Sequence, residues 1–132
     1  MFRFLKEHRL YFVYTPLILY WIILLIATSL PAPDLPDVWG SDKLKHFLAY
    51  AVLAFLLNLS LLVQEKRSLS SKQAAFMTLG ICLFYGLFDE IHQIFIPGRS
   101  AELLDLAADV TGALTGVIIV LYLVRKIKYN QA

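Results

Sequence analysis

The sequence predicts an all-α polytopic membrane protein: a bundle of four transmembrane helices with both termini in the cytoplasm. Three observations predict it. Hydrophobic residues make up 59% of the 132 and charged residues 17%, with a mean hydropathy of +0.68, whereas an average soluble domain is about 45–50% apolar and about 25% charged. A short chain in water buries only about two-thirds of its surface, so lipid must solvate much of this one. Four apolar runs, at 12–30, 46–63, 74–96 and 104–124, each approach the ~20 residues that cross a hydrocarbon core of about 30 Å. Finally, Lys and Arg divide unequally between the two sides those runs define.

The first run follows a basic arm of Arg3, Lys6 and Arg9 and ends in a turn rich in Pro31, Pro33, Pro36 and Gly40. A cleaved signal peptide with Ala27, Thr28 and Ser29 at its processing site is the alternative. The length of the run and the nearby Pro31 argue against it, and the other three helices would keep their orientation either way. The second helix starts at Asp42, with Ser41 placed as its N-cap. A charged stretch over 64–73 separates it from the third, which stops before Pro97 and Gly98. Ser100 is then placed as a cap for the fourth. No linker divides the chain, so 1–132 reads as one domain without internal repeats. The one cysteine, Cys82, lies in an apolar stretch, which excludes a disulfide framework and reads as small packing filler.

A net charge of +2 and a pI of 8.7 suggest nucleic acid until the distribution is read. Nine of the twelve Lys and Arg residues fall in the amino-terminal arm, the 64–73 loop and the tail. Lys43, Lys45 and Arg99 are the three on the other side. Acidic residues do the reverse, so the inner side carries +7 and the outer side −5. Basic residues are retained in the cytoplasm, which sets the orientation. No nucleic-acid surface is predicted.

Ionisable side chains cost about 2.5–3.5 kcal/mol at mid-membrane on the insertion scale, and here they gather in the outer half. Asp42, Lys43 and His46 open the second helix, with Asp42, His46 and Tyr50 on one face. Asp89, Glu90, His92 and Gln93 end the third, with Glu90 about 9 Å below its Ile96 end at ~1.5 Å per residue. Arg99 follows, and Asp105 and Asp109 share a face of the fourth. Ala108, Gly112 and Gly116 form a small-residue stripe beside them, whose simplest use is close helix packing, with homodimerisation a lesser alternative. The predicted ligand-binding set is therefore Asp42, Lys43, His46, Asp89, Glu90, Gln93, Arg99, Asp105 and Asp109; His92, at another angle, stands apart from it. The plain alternative is a polar clamp in which Arg99 and Lys43 neutralise carboxylates.

Three ordered motifs carry a resemblance: Asp-Lys-x-x-His-Phe-x-x-Tyr over 42–50, Asp-Glu-x-x-Gln-x-Phe-x-Pro-Gly-Arg-Ser over 89–100, and Asp-x-x-x-Asp-x-x-Gly over 105–112. Together they resemble the VanZ family of bacterial membrane proteins, named for a teicoplanin-resistance protein. One departure is Asp109, where many members have asparagine. The resemblance implies a bacterial plasma-membrane protein of the cell envelope, linked in some members to glycopeptide or lipoglycopeptide tolerance, and supplies no reaction.

Three functions then stand open. The first is capture of the polar head of an envelope amphiphile, a lipid-linked wall precursor or a lipoglycopeptide, with Arg99 or Lys43 taking a phosphate. The second is a membrane-embedded enzyme with Glu90 or Asp89 as general base and His46 as its partner. The third is transport or scaffolding, for which no span carries a charge in its inner half. No His-Glu-x-x-His, Gly-x-Ser-x-Gly or P-loop pattern occurs, and no resident cofactor is expected; a divalent metal on Asp105, Asp109 and His46 is a weaker alternative.

Overall fold

The computed structural model describes residues 2–31, 42–65 and 69–129. Among the described residues every regular element is helical: α1 (Phe2–Glu7), a π-helical turn (Leu10–Tyr14), α2 (Thr15–Ser29), α3 (Asp42–Val63), α4 (Ser71–Gln93) and α5 (Leu103–Tyr129). Four spans are long and apolar enough to cross a membrane: Leu10–Ser29, Asp42–Val63, Ser71–Gln93 and Leu103–Ile127. Ser41, the prolines of the first turn after Pro31, and Lys66 and Arg67 lie outside the described residues.

Each end of these helices has a local cause. Pro16, at the start of α2, has no N–H and its ring would meet the carbonyl four residues back. The ladder slips there: the Thr15 N–H donates to the Leu10 carbonyl, and the Thr15 hydroxyl donates to the same oxygen at 2.7 Å. The first span therefore starts earlier than the apolar run, through a π turn. A capping box opens α4 three residues before the expected Ala74, with the Gln73 N–H donating to Ser70 Oγ at 3.2 Å and the Ser70 N–H to Gln73 Oε1 at 2.9 Å. It ends at Gln93 rather than Ile96. The chain then tightens through Ile96 N–H to Gln93 O and Arg99 N–H to Ile96 O, at 3.0 and 3.1 Å. Gly98 sits there at φ 76°, a left-handed conformation that only glycine adopts freely.

α3 and α5 form the closest pair, and two glycines set their approach. A Cβ at Gly112 would collide with the Phe47 carbonyl oxygen, and one at Gly116 with the Ala51 carbonyl oxygen. The small-residue stripe therefore packs inside the chain, α5 on α3. Leu53, Ala54, Cys82, Ala113 and Val117 are buried in the core, and Cys82 is the filler expected of it. Large apolar side chains such as Phe84, Phe95 and Ile118 point outward, as a lipid solvent permits. The first span is the peripheral one, with 17% of its apolar window buried against 44% for α3. It is pinned by the Tyr20 hydroxyl donating to the Ala49 carbonyl at 2.9 Å and by Trp21 edge-on to Tyr85.

The two ends of the bundle differ chemically. At one end Arg9 grips both oxygens of Glu65, at 2.5 and 2.8 Å, fastening the start of the first span to the end of α3. That guanidinium holds the Glu65 carboxyl below its ordinary range. Between the ends, Asn58 of α3 donates to the Thr78 hydroxyl of α4 at 3.1 Å, with both residues fully buried. This pair escaped the sequence reading because neither residue ionises. The other end holds the acidic cluster.

Candidate functional site

Three helix termini converge at the acidic end. The helical repeat sets His46 and Tyr50 one turn apart on the buried face of α3, Asp89, Glu90 and Gln93 on that of α4, and Asp105 and Asp109 on that of α5, both buried. Relative exposures are 2% for Asp89, 7% for Glu90, 2% for Asp105, 1% for Asp109 and 8% for His46. Asp42 is exposed at the rim.

The contacts give each group a different task. Lys43 bridges two residues, with Nζ 2.7 Å from Glu102 Oε2 and 3.1 Å from Asp105 Oδ1, and this ammonium holds the Glu102 carboxyl below its usual range. His46 Nδ1 lies 2.9 Å from Asp109 Oδ1. An ionised carboxylate only accepts, so the imidazole proton sits on Nδ1 in that pair. Glu90 Oε2 accepts the Glu102 N–H at 2.7 Å, satisfying an otherwise orphaned donor where α5 begins. Ser100, expected as the cap of this helix, stands upstream of that point. Gln93 Nε2 donates to Asp89 Oδ2 at 3.3 Å and orients it.

Arg99 departs from the clamp expectation. Its Nε donates to the Leu30 carbonyl at 3.1 Å and its Nη2 to the Ala27 carbonyl at 3.0 Å. It therefore closes the carbonyl end of α2 instead of pairing with Glu90. His92 is outside the cluster, as expected, 3.2 Å from the Ser29 hydroxyl and stacked on Phe88.

A cavity of about 130 Å³ opens between the ends of α2, α3 and α4. Asp42, Lys45, His46, Asp89 and Arg99 line it together with the apolar Leu24, Ala27 and Ala49. Lys45 and the two tyrosines on its wall, Tyr50 and Tyr85, were not in the predicted set. The signal for Tyr50 was its i, i+4 spacing from His46, whereas nothing local marked Tyr85. Gly86 makes room beside them, because a Cβ there would stand 3.1 Å from Asp109 Oδ2 and 3.5 Å from the Tyr50 hydroxyl.

Several buried polar atoms are left without a hydrogen-bond partner: Glu90 Oε1, Asp109 Oδ2 and the hydroxyls of Tyr50 and Tyr85. A buried polar group costs free energy until something pairs with it, so these atoms are aimed at a ligand or at water. Two overlapping triads place one donor atom from each member within 4.8 Å of the others: Asp42, His46 and Asp105, and His46, Glu90 and Asp109. His46 belongs to both, while Asp105 and Asp109 fall into different triads.

The sequence motifs therefore sit on three helix ends that converge on one buried acidic cluster. No curated protein and no solved structure matches the chain, but the family model for VanZ/LLP1 matches residues 5–125, which includes every residue of the cluster. With four apolar spans and nearly the whole length matched, this chain belongs to the VanZ/LLP1 family.

Proposed function

We propose that this protein is a bacterial plasma-membrane component of the cell envelope that captures the polar head of an envelope amphiphile, a lipid-linked wall precursor or a lipoglycopeptide, at the outward end of its bundle. The cavity between α2, α3 and α4 is the observation that carries this reading, because charged and apolar side chains share its lining. Lys45 and Arg99 suit a phosphate, while Asp42 and Asp89 suit an amine. Lys43, committed to Glu102 and Asp105, is the weaker phosphate ligand. A role in teicoplanin-type tolerance belongs to the same proposal.

The binding test is incubation of purified protein in detergent with labelled lipid-linked wall precursor, followed by recovery of the bound and free lipid. Retention of unchanged precursor supports capture; neither retention nor conversion would end this reading. Conversion would favour the second one, acid–base catalysis, which the His46–Asp109 bond specifically motivates. A carboxylate that fixes the tautomer of an imidazole prepares it to accept a proton at its other nitrogen, and Glu90 lies within the same group.

Orientation is part of the proposal, with both termini cytoplasmic. In a Cys82→Ser background, a cysteine at Ala101 is expected to react with an impermeant thiol reagent in intact cells, and one at Lys72 only after lysis. Both positions are exposed. Labelling of the Lys72 position from outside would invert the topology and turn the acidic cluster towards the cytoplasm.

A further inference from the structure

We propose that His46, Glu90 and Asp109 form a binding site for one divalent transition-metal cation, of the Mn²⁺ or Zn²⁺ class. Each contributes a ligand atom within 4.8 Å of the other two, a spread that closes around bonds of about 2.0–2.2 Å with a shift of several tenths of an ångström. Proximity of acids alone says little, but here two oxygens of the triad are buried and unpartnered, Glu90 Oε1 and Asp109 Oδ2. The other oxygen of each carboxylate is already held, Glu90 Oε2 by the Glu102 N–H and Asp109 Oδ1 by His46. Side chains tethered at one oxygen with the other left open are oriented before any ligand arrives.

Charge points the same way. Asp89, Glu90, Asp105 and Asp109 are all buried, while Lys43 serves Asp105 and Glu102, Lys45 shares the cavity lining with Asp89 and Arg99 serves two backbone carbonyls. Buried carboxylates therefore outnumber the cations that face them, and a divalent ion supplies the missing positive charge. The same comparison rejects the outer triad, in which Asp42 is exposed and Asp105 already has the Lys43 ammonium at 3.1 Å. One nitrogen and two carboxylate oxygens suit Mn²⁺ or Zn²⁺ better than Mg²⁺ or Ca²⁺, which prefer oxygen alone. Nδ1 is the nitrogen beside Asp109, so the ion takes the place of its proton, which moves to Nε2 in the neutral imidazole, and the His46–Asp109 hydrogen bond gives way to two bonds to the ion. Three protein ligands leave coordination positions open on the ion.

This site shares His46 with the head-group cavity but does not rest on amphiphile capture, since ion binding is read without lipid. The test is equilibrium dialysis of the purified, chelator-stripped full chain in detergent against Mn²⁺ alone and Zn²⁺ alone, with bound metal measured by elemental analysis. One equivalent per chain is expected, with binding weakened by about tenfold or more in Glu90→Gln and in Asp109→Asn and unchanged in Asp42→Asn. Less than about 0.1 equivalents in the wild type at about 100 μM free ion would overturn the proposal without recourse to any variant. So would an affinity that Asp42→Asn lowers and the two deeper variants do not. Circular-dichroism melts of the metal-free proteins identify any variant that fails to assemble.

Discussion

Replacing Gly112 and Gly116 together by valine is expected to abolish the assembled bundle. The obstacle at both positions is backbone, the carbonyl oxygens of Phe47 and Ala51, so no rotamer change in a neighbouring side chain relieves it. Overpacking a site that can relax costs typically about 1–3 kcal/mol, and here α5 must move off α3 along two turns. Since the total stability of a small domain is only about 5–15 kcal/mol, the expected result is a several-fold fall in abundance. Size-exclusion chromatography in detergent should show loss of the monodisperse species. Gly80→Ala is the matched control, because a Cβ there meets nothing within 4 Å; its abundance should stay at the wild-type level. A double-valine variant that purifies and melts normally would mean that the stripe does not set the helix approach.

Glu90→Gln is expected to remove retention of a bound Mn²⁺ or Zn²⁺ ion while leaving the bundle assembled. The amide oxygen can still accept the Glu102 N–H that Glu90 Oε2 accepts at 2.7 Å, so the start of α5 keeps its partner. What changes is the unpartnered side: two N–H hydrogens stand where Glu90 Oε1 offered a lone pair. A group that approaches as a cation or as a hydrogen-bond donor then meets a donor, and a loss of at least about tenfold in retention, roughly 1.4 kcal/mol, is expected. Because Arg99 rests on the Leu30 and Ala27 carbonyls, the substitution strands no guanidinium. Protein abundance measured beside retention separates the two roles of Glu90. Retention that falls only in proportion to lost protein would assign Glu90 to helix closure alone.

The spans were legible in the sequence because lipid imposes one length on every crossing, and the acidic cluster because its cost in a membrane makes charge conspicuous. The helix boundaries were partly legible. Ser70 and Gln73 have the capping-box spacing, so the start of α4 was open to reading, and Pro16 was a visible interruption in the first apolar run. Pair assignments were beyond reach. His46 and Asp109 are 63 positions apart, and either aspartate of α5 shares the face that meets α3; only packing decides that Lys43 takes Asp105 and His46 takes Asp109. The clamp alternative gave Arg99 to carboxylates because sequence shows side-chain charges and hides backbone carbonyls. The carbonyls it serves belong to Ala27 and Leu30, two apolar-run residues with nothing to advertise them.

The buried bond between Asn58 and Thr78 has a consequence for alignment along the membrane normal. Leucine and lipid tails are equally apolar, so apolar packing alone gives parallel staves little reason to prefer one axial offset over the next. Sliding α3 past α4 by one turn, about 5.4 Å, would carry Asn58 out of reach of the Thr78 hydroxyl, now 3.1 Å away. It would leave the Asn58 amide stranded in a region without water, while the Thr78 hydroxyl kept its bond to the Ala74 carbonyl. The same slide of α3 past α5 would part His46 from Asp109. Two small polar latches at different depths therefore make the vertical register of the bundle discrete, in the way that two notches hold a sliding rule at one mark.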